Sequence, residues 1–304
     1  MAAVISLLDE DALMSYSAVN GRLATRRAVD VQVTVAQPRK SAARAKYHEL
    51  ELKVAALQRD YAQLHTELVE AAQVHRRLCA PRLVRHHDFE IANETFAVRH
   101  VPGDCITIDN VDGSVVLSLG DICGKGLAAG MWISHLVGLI GTRTAATSDP
   151  ATIVTGVNRD LCRISSVAPL ATMFLAKLDP ASGRLDYSSA GHPPGMLLRA
   201  DGTLEKLSEG GPLLGAIPGA SYAKGIVELR GGDLLLICSD GILESMNGAD
   251  EEFGYERLEQ HLRRAQTECA DKVVFSVLGA VQDFAATRPL VDDMSLVVIR
   301  RDVH

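Results

Sequence analysis

The hydrophobic period of this chain changes at Pro81. Upstream, Leu50, Leu57, Leu64, Ala71 and Leu78 recur every seven residues, with Val54, Tyr61, Leu68 and His75 spaced alike four residues behind. Together they fill the two apolar positions of a heptad, so the spacing predicts a helix over 47–79, roughly 50 Å long, carrying one continuous seam. Such a seam needs a partner, and Glu, Lys and Arg on its flanks favour a second copy of the chain over the chain's own core. Pro81 then ends the helix.

Past residue 85 short β-branched runs alternate with Gly, Asp and Pro. Strands are predicted at 89–98, 104–109, 114–120, 171–178, 184–189, 195–199, 226–230, 233–239 and 294–300. Most connections read as hairpins, for example across Asp179 to Gly183, so the sheets should be mainly antiparallel. Helical periodicity at 126–145, 151–165 and 270–286 supplies amphipathic covers for them. The fold class is α+β. The expected organisation is a regulatory or poorly ordered segment over 1–45, a coiled-coil linker helix over 46–80 and a catalytic domain over 81–304.

Composition narrows the function. With 304 residues and 47% apolar content the chain can bury a large core. It has no run of about 18 apolar residues and begins with an acidic stretch, which predicts a cytoplasmic protein with neither membrane span nor signal peptide. A net charge of −7 argues against nucleic-acid binding, and the basic run over 21–46 reads as a solvated linker. Six cysteines without CxxC pairs point to reduced thiols rather than structural zinc.

Four acidic positions share one local context. Asp104 opens a strand after Pro102-Gly103, Asp121 ends SVVLSLG, Asp240 ends DLLLICS, and Asp292-Asp293 precede MSLVVIR. One aspartate at a strand end is ordinarily a turn or cap residue. Four of them can converge on a point, where hard oxygen ligands suit Mg²⁺ or Mn²⁺ and dications remove the repulsion between carboxylates. GDICGKG lacks the spacing of a nucleotide P-loop and a following Ser or Thr, so Gly124 and Gly126 are read as letting the chain turn after Asp121. No cysteine sits in an arginine-bearing phosphate loop, which excludes a cysteine nucleophile. His192, in AGHPP, is read as fastening a turn.

The blocks VPGD (101–104), GDICGKG (120–126), SAGHPPGMLL (189–198), GGPLLG (210–215), CSDGILE (238–244), EEFGYERL (251–258) and DDMSLVVIR (292–300) occur in order. Over about residues 70–301 they resemble the SpoIIE/RsbU-type bacterial serine/threonine phosphatases, members of the PP2C-like metal-dependent (PPM) superfamily. The resemblance implies a β-sandwich of two antiparallel sheets flanked by helices, and two Mn²⁺ or Mg²⁺ ions. Asp121 would bridge the ions, Asp240 and Asp292 complete one, Asp104 serve the second, and the Ile122 carbonyl add a ligand. Asp121 and Asp240 are the expected catalytic residues, and Lys125 is a candidate for substrate phosphate.

The implied reaction is hydrolysis of phosphoserine or phosphothreonine by a metal-activated water. The implied substrate is a STAS-type anti-anti-sigma factor in stress-response signal transduction. Because the N-terminal segment is short, the activating input is expected from a separate regulatory protein, and the 47–79 helix is expected to form a homodimer. Two rival classes are a pseudophosphatase that binds its phosphoprotein without turnover and a coiled-coil scaffold. Cys105, Cys123 and Cys238 lie within two residues of the proposed ligands. They read first as small core residues; if oxidation acts on the site, period-two geometry assigns it to Cys238 or Cys123.

Overall fold

A computed structural model of the chain describes residues 39–164 and 169–303, so most of the expected 1–45 segment lies outside the described residues. The chain divides into two compact units, Met1–Leu57 and Gln58–His304, and helix α1 (Arg39–Leu78) contributes to both. It begins earlier than the heptads alone predict. Its last turn carries His75, Arg76 and Arg77, where positive charge suits the helix C-terminus. Leu50, Val54, Leu57, Tyr61 and Leu64 are each more than half exposed on it, whereas His75 is buried.

Twelve strands and five further helices follow among the described residues. The strands are β1 (Leu83–His86), β2 (Phe89–Phe96), β3 (Asp104–Val111), β4 (Ser114–Ile122), β5 (Ala171–Leu178), β6 (Arg184–Ala190), β7 (Gly195–Leu198), β8 (Leu204–Leu207), β9 (Gly210–Gly211), β10 (Gly225–Glu228), β11 (Leu234–Cys238) and β12 (Met294–Arg301). The helices are α2 (Leu127–Ala146), α3 (Pro150–Ile164), α4 (Asp240–Leu243), α5 (Gly254–Arg264) and α6 (Ala270–Ala285). One sheet has the order β1-β2-β12-β11-β7-β8 and the other β10-β6-β5-β4-β3. All these pairings are antiparallel; the departure from the expected antiparallel sheets is β9, two residues that pair in parallel with β6.

Period-two alternation sorts the apolar residues into layers. Leu235 and Ile237 of β11, Val297 and Ile299 of β12, Leu117 and Leu119 of β4, and Phe174 of β5 fill the space between the sheets. Their neighbours Leu234, Leu236, Leu296 and Val298 face outward, where α5 and α6 bury them through Leu258, Leu262, Val273, Val274, Val277 and Val281. On the other sheet Val116, Met173 and Leu175 pack beneath Ile133, Leu136 and Ile140 of α2 and Ile153, Val154 and Val157 of α3. A one-residue slip of any central strand would exchange the two layers, which fixes the register.

The sequence pattern misses β1, β8, β9, α4 and α5. The first four are only two to four residues long, and in α5 Leu258 and Leu262 are the buried residues on a strongly charged helix. Among the described residues no helix is long and apolar enough to cross a membrane.

Candidate metal centre

The antiparallel register of β3 and β4 sets Asp104 directly opposite Asp121. Asp104 is 2% exposed, and its Oδ2 is buried with no hydrogen-bond partner. Asp240 begins α4 immediately after β11, and Asp292 and Asp293 lead into β12, the strand paired with β11. Both sheets thus deliver carboxylates to one end of the sandwich.

Close backbone approach makes this possible. A Cβ on Gly241 would stand 2.0 Å from the Asp293 carbonyl oxygen and 3.3 Å from Asp292 Cβ, so glycine after Asp240 lets the two acidic segments touch. Past Asp121, Gly124 (φ 132°) and Gly126 (φ 76°) adopt positive φ, turning the chain sharply between β4 and α2. Ile122 is buried, and its N–H donates to the Gly103 carbonyl at 3.1 Å. Its own carbonyl oxygen would lie 3.4 Å from a Cβ on Gly103, packed against the turn that leads into Asp104.

The electrostatics are those of crowded anions. Burial first, then the Asp121 charge, holds the Asp104 carboxyl well above the usual carboxylate range. Asp121 is raised to about 7, mainly by burial and next by the charge of Asp240. Asp240 is raised by burial and by Asp292. Lys125 pairs with Asp292, Nζ to Oδ2 at 2.6 Å, and also donates to the Val291 carbonyl at 2.6 Å. This compensates the cluster at its exposed rim and leaves Asp104 and Asp121 deeper in it.

Asp293 plays a different part from its neighbour. Its Oδ1 accepts from the Val98 N–H at 2.8 Å and its Oδ2 from the Gly103 N–H at 2.8 Å. Both oxygens are therefore occupied in tying the 98–103 loop beside Asp104. Sequence reasoning left the doublet unresolved; the two aspartates of DDM divide into one that faces the cluster and one that fastens it. His192 is buried, with Nδ1 2.9 Å from Thr172 Oγ1, and Thr172 is the register partner of Asp121 on β5. Burial depresses the His192 pKa to about 3, so the ring is a neutral fastener beneath the site rather than a proton donor at its surface.

Among the described residues no three His, Cys, Asp or Glu side chains stand together at ligand distances. The donor set nevertheless fits hard divalent cations. It is all oxygen, it includes the buried, unpartnered Asp104 Oδ2, and burial with mutual repulsion raises the carboxyls of Asp104, Asp121 and Asp240, a cost that dications would relieve.

Comparison with known proteins identifies the family and the fold. The family model of Stage II sporulation protein E (SpoIIE) matches residues 111–302, more than half of the chain. Phosphoserine phosphatase RsbU of Bacillus subtilis (strain 168) is 26% identical over 245 residues, 79% of this chain and 72% of that protein. The solved SiaA-PP2C domain of Pseudomonas aeruginosa superposes with a TM-score of 0.70 at 17% identity, over 79% of this chain and 98% of that one. The PP2C phosphatase domain of SpoIIE from Bacillus subtilis, solved with a fragment of its regulatory domain, gives a TM-score of 0.62 at 19% identity, over 72% and 64%. The chain belongs to the SpoIIE family and carries the PP2C-like fold of two sheets flanked by helices.

Proposed function

We propose that the protein is a Mn²⁺- or Mg²⁺-dependent serine/threonine protein phosphatase. The observation that carries this reading is the delivery of Asp104, Asp121, Asp240 and Asp292 to one end of the sandwich, with a buried Asp104 oxygen left unpaired. Asp104, Asp121, Asp240, Asp292 and the Ile122 carbonyl would hold two ions. When bound, these supply an activated water and offset charge developing on the phosphoryl group.

The chain's own residues prepare that chemistry. Asp121, whose carboxyl feels the charges of Asp240 and Asp292 and lies opposite Asp104, would be the ligand held in common by the ions. Asp293 holds the 98–103 backbone so that Asp104 stays opposite Asp121. Lys125 sits at the rim, paired with Asp292, and would be a cation within reach of a substrate phosphate. The neutral His192 beneath Asp121 keeps β5 and the 189–195 turn in place.

The similarity to RsbU supports a phosphorylated STAS-type regulatory protein as substrate, in a cytoplasmic partner-switching system. The exposed heptad residues of α1 support a homodimer through 47–79, with a separate protein supplying the activating input. The test is phosphate release from phosphorylated STAS proteins with Mn²⁺, Mg²⁺ or chelator. Metal-dependent release that Asp240→Asn abolishes is expected. Phosphoprotein binding with no release in any metal would replace this reading by that of a pseudophosphatase.

A further inference from the structure

The end of α1 brings together two thiols far apart in sequence. Cys79 follows the helix, and the next residue, Ala80, donates its N–H to the Ile106 carbonyl at 2.8 Å, so the chain leaving the helix runs along β3. That bond sets Cys79 beside Cys105, and both pack into the layer that holds Val116 and Ile122. His75, one helical turn earlier, places Nδ1 3.7 Å from Cys79 Sγ, and its Nε2 is buried with no partner. A cavity of about 690 Å³, lined by Cys79, His75, Arg76, Arg77 and His100, borders this group. Cys79 is thus a half-buried thiol with a second thiol on one side, an imidazole on another, and open space within reach.

We propose that Cys79 is a hydroperoxide-reactive thiol and that Cys105 resolves it into an intramolecular disulfide. In the first step the Cys79 thiolate attacks one oxygen of the hydroperoxide. The O–O bond breaks, a sulfenic acid forms at Cys79, and the departing oxygen leaves as water or an alcohol after taking a proton. In the second step the Cys105 sulfur attacks the Cys79 sulfur, the S–O bond breaks, and water leaves with the Cys105 proton. The two thiols lose two electrons, and the hydroperoxide gains them.

The environment favours Cys79 as the attacking group. The neighbouring Cys105 lowers its pKa most, burial opposes this, and His75 lowers it further, leaving the thiol at about 5. The cysteines that sequence spacing nominated are less suited. Cys238 is buried in the layer beneath α5 and α6, and Cys123 lies exposed on the turn after β4, outside the packed layer that holds Cys79 and Cys105. The disulfide would fasten the end of α1 to the residue that follows Asp104 on β3.

The experiment treats the reduced full-length chain with hydrogen peroxide and maps disulfides by mass spectrometry without reductant. Trypsin leaves Cys105 and Cys123 on one peptide, so fragmentation must assign the bridge between them. A Cys79–Cys105 bridge is expected, with Cys79 consumed at least tenfold faster than Cys238. In Cys105→Ser, dimedone should trap a sulfenic acid at Cys79; in Cys79→Ser, neither bridge nor adduct should form at these positions. A bridge confined to other cysteines, or a Cys79 that stays reduced while Cys123 or Cys238 oxidises, overturns the proposal. The parent mapping decides this even where a variant folds poorly.

Discussion

Replacing Asp121 by asparagine separates the electrostatic cost of the cluster from its chemistry. Asp121 is held at about 7 against an ordinary 3.8, by burial and then by Asp240, with Asp292 and Asp293 adding to the effect. A carboxyl whose folded-state pKa is raised contributes stability that is complete below the unfolded value and is lost as pH rises through the folded one. The chelated protein should therefore lose stability between about pH 4 and pH 7 and level off above. At about 1.4 kcal/mol per pKa unit the loss is at most about 4 kcal/mol, and sharing of charge among coupled carboxylates leaves roughly 2 kcal/mol to Asp121 itself. Asparagine keeps the shape and removes the charge. In chelator at pH 8, Asp121→Asn should melt about 4–8 °C above the parent, and the gap should close near pH 4. With Mn²⁺ the order reverses, because the parent gains a ligand-bound state that the variant has lost, and turnover falls by at least about 100-fold. Melting curves across this pH range, in chelator and in Mn²⁺, with phosphate release measured alongside, make the test. A variant that melts no higher than the parent at pH 8 in chelator would refute the reasoning, since repulsion at Asp121 would then not be a cost in the folded chain.

Three further outcomes are expected. Asp293→Ala removes the acceptor of two backbone N–H groups at 2.8 Å each, which at about 1.5–3 kcal/mol per charge-assisted bond should cost roughly 3–5 kcal/mol in urea unfolding; Asp293→Asn, keeping one good acceptor, should cost about half. Gly241→Ala places a methyl 2.0 Å from the Asp293 carbonyl oxygen, so the acidic segments must separate: Mn²⁺ affinity by calorimetry should fall at least about tenfold, and unchanged affinity would show that their contact is dispensable. Leu57→Asp combined with Leu64→Asp puts charge on the heptad seam and should halve the mass seen by light scattering; an unchanged mass would remove the case for a dimer through α1.

The sandwich was legible where one physical pattern dominated. The runs LLLIC of β11 and LVVI of β12 are apolar at every position because both of their faces are buried, between the sheets and beneath α5 and α6. The long helices declared themselves through period 3.6 or 3.5. What escaped were elements whose position rests on tertiary partners. β1 and β8 are edge strands of four residues, half-buried at best over most of their length. α5 exposes a charged surface broken by few apolar residues, and its Gly254 start at φ 68° carries no conventional capping residue.

At the candidate site, what sequence supplied was residue type and place, and what it withheld was direction. Asp104, Asp121, Asp240 and Asp292 were found because each ends or precedes an apolar strand run. Nothing in that pattern says that Asp292 faces the cluster while Asp293 turns both oxygens to the 98–103 backbone. That division follows from the register of β12 against β2 and β11, a long-range pairing. The same limit applies to the thiols. Two-residue spacing correctly put Cys105 on the face opposite Asp104, but a face is defined only by what covers it. At Cys105 the cover includes the exit of α1, seventy-nine residues into the chain, where the heptad residue His75 turns inward while Leu50, Val54, Leu57, Tyr61 and Leu64 remain exposed. A residue's chemistry is set by its nearest neighbours in space, so the helix that reads as an association surface also supplies, at its final turn, an imidazole against the thiol that follows it beside the strand bearing Asp104.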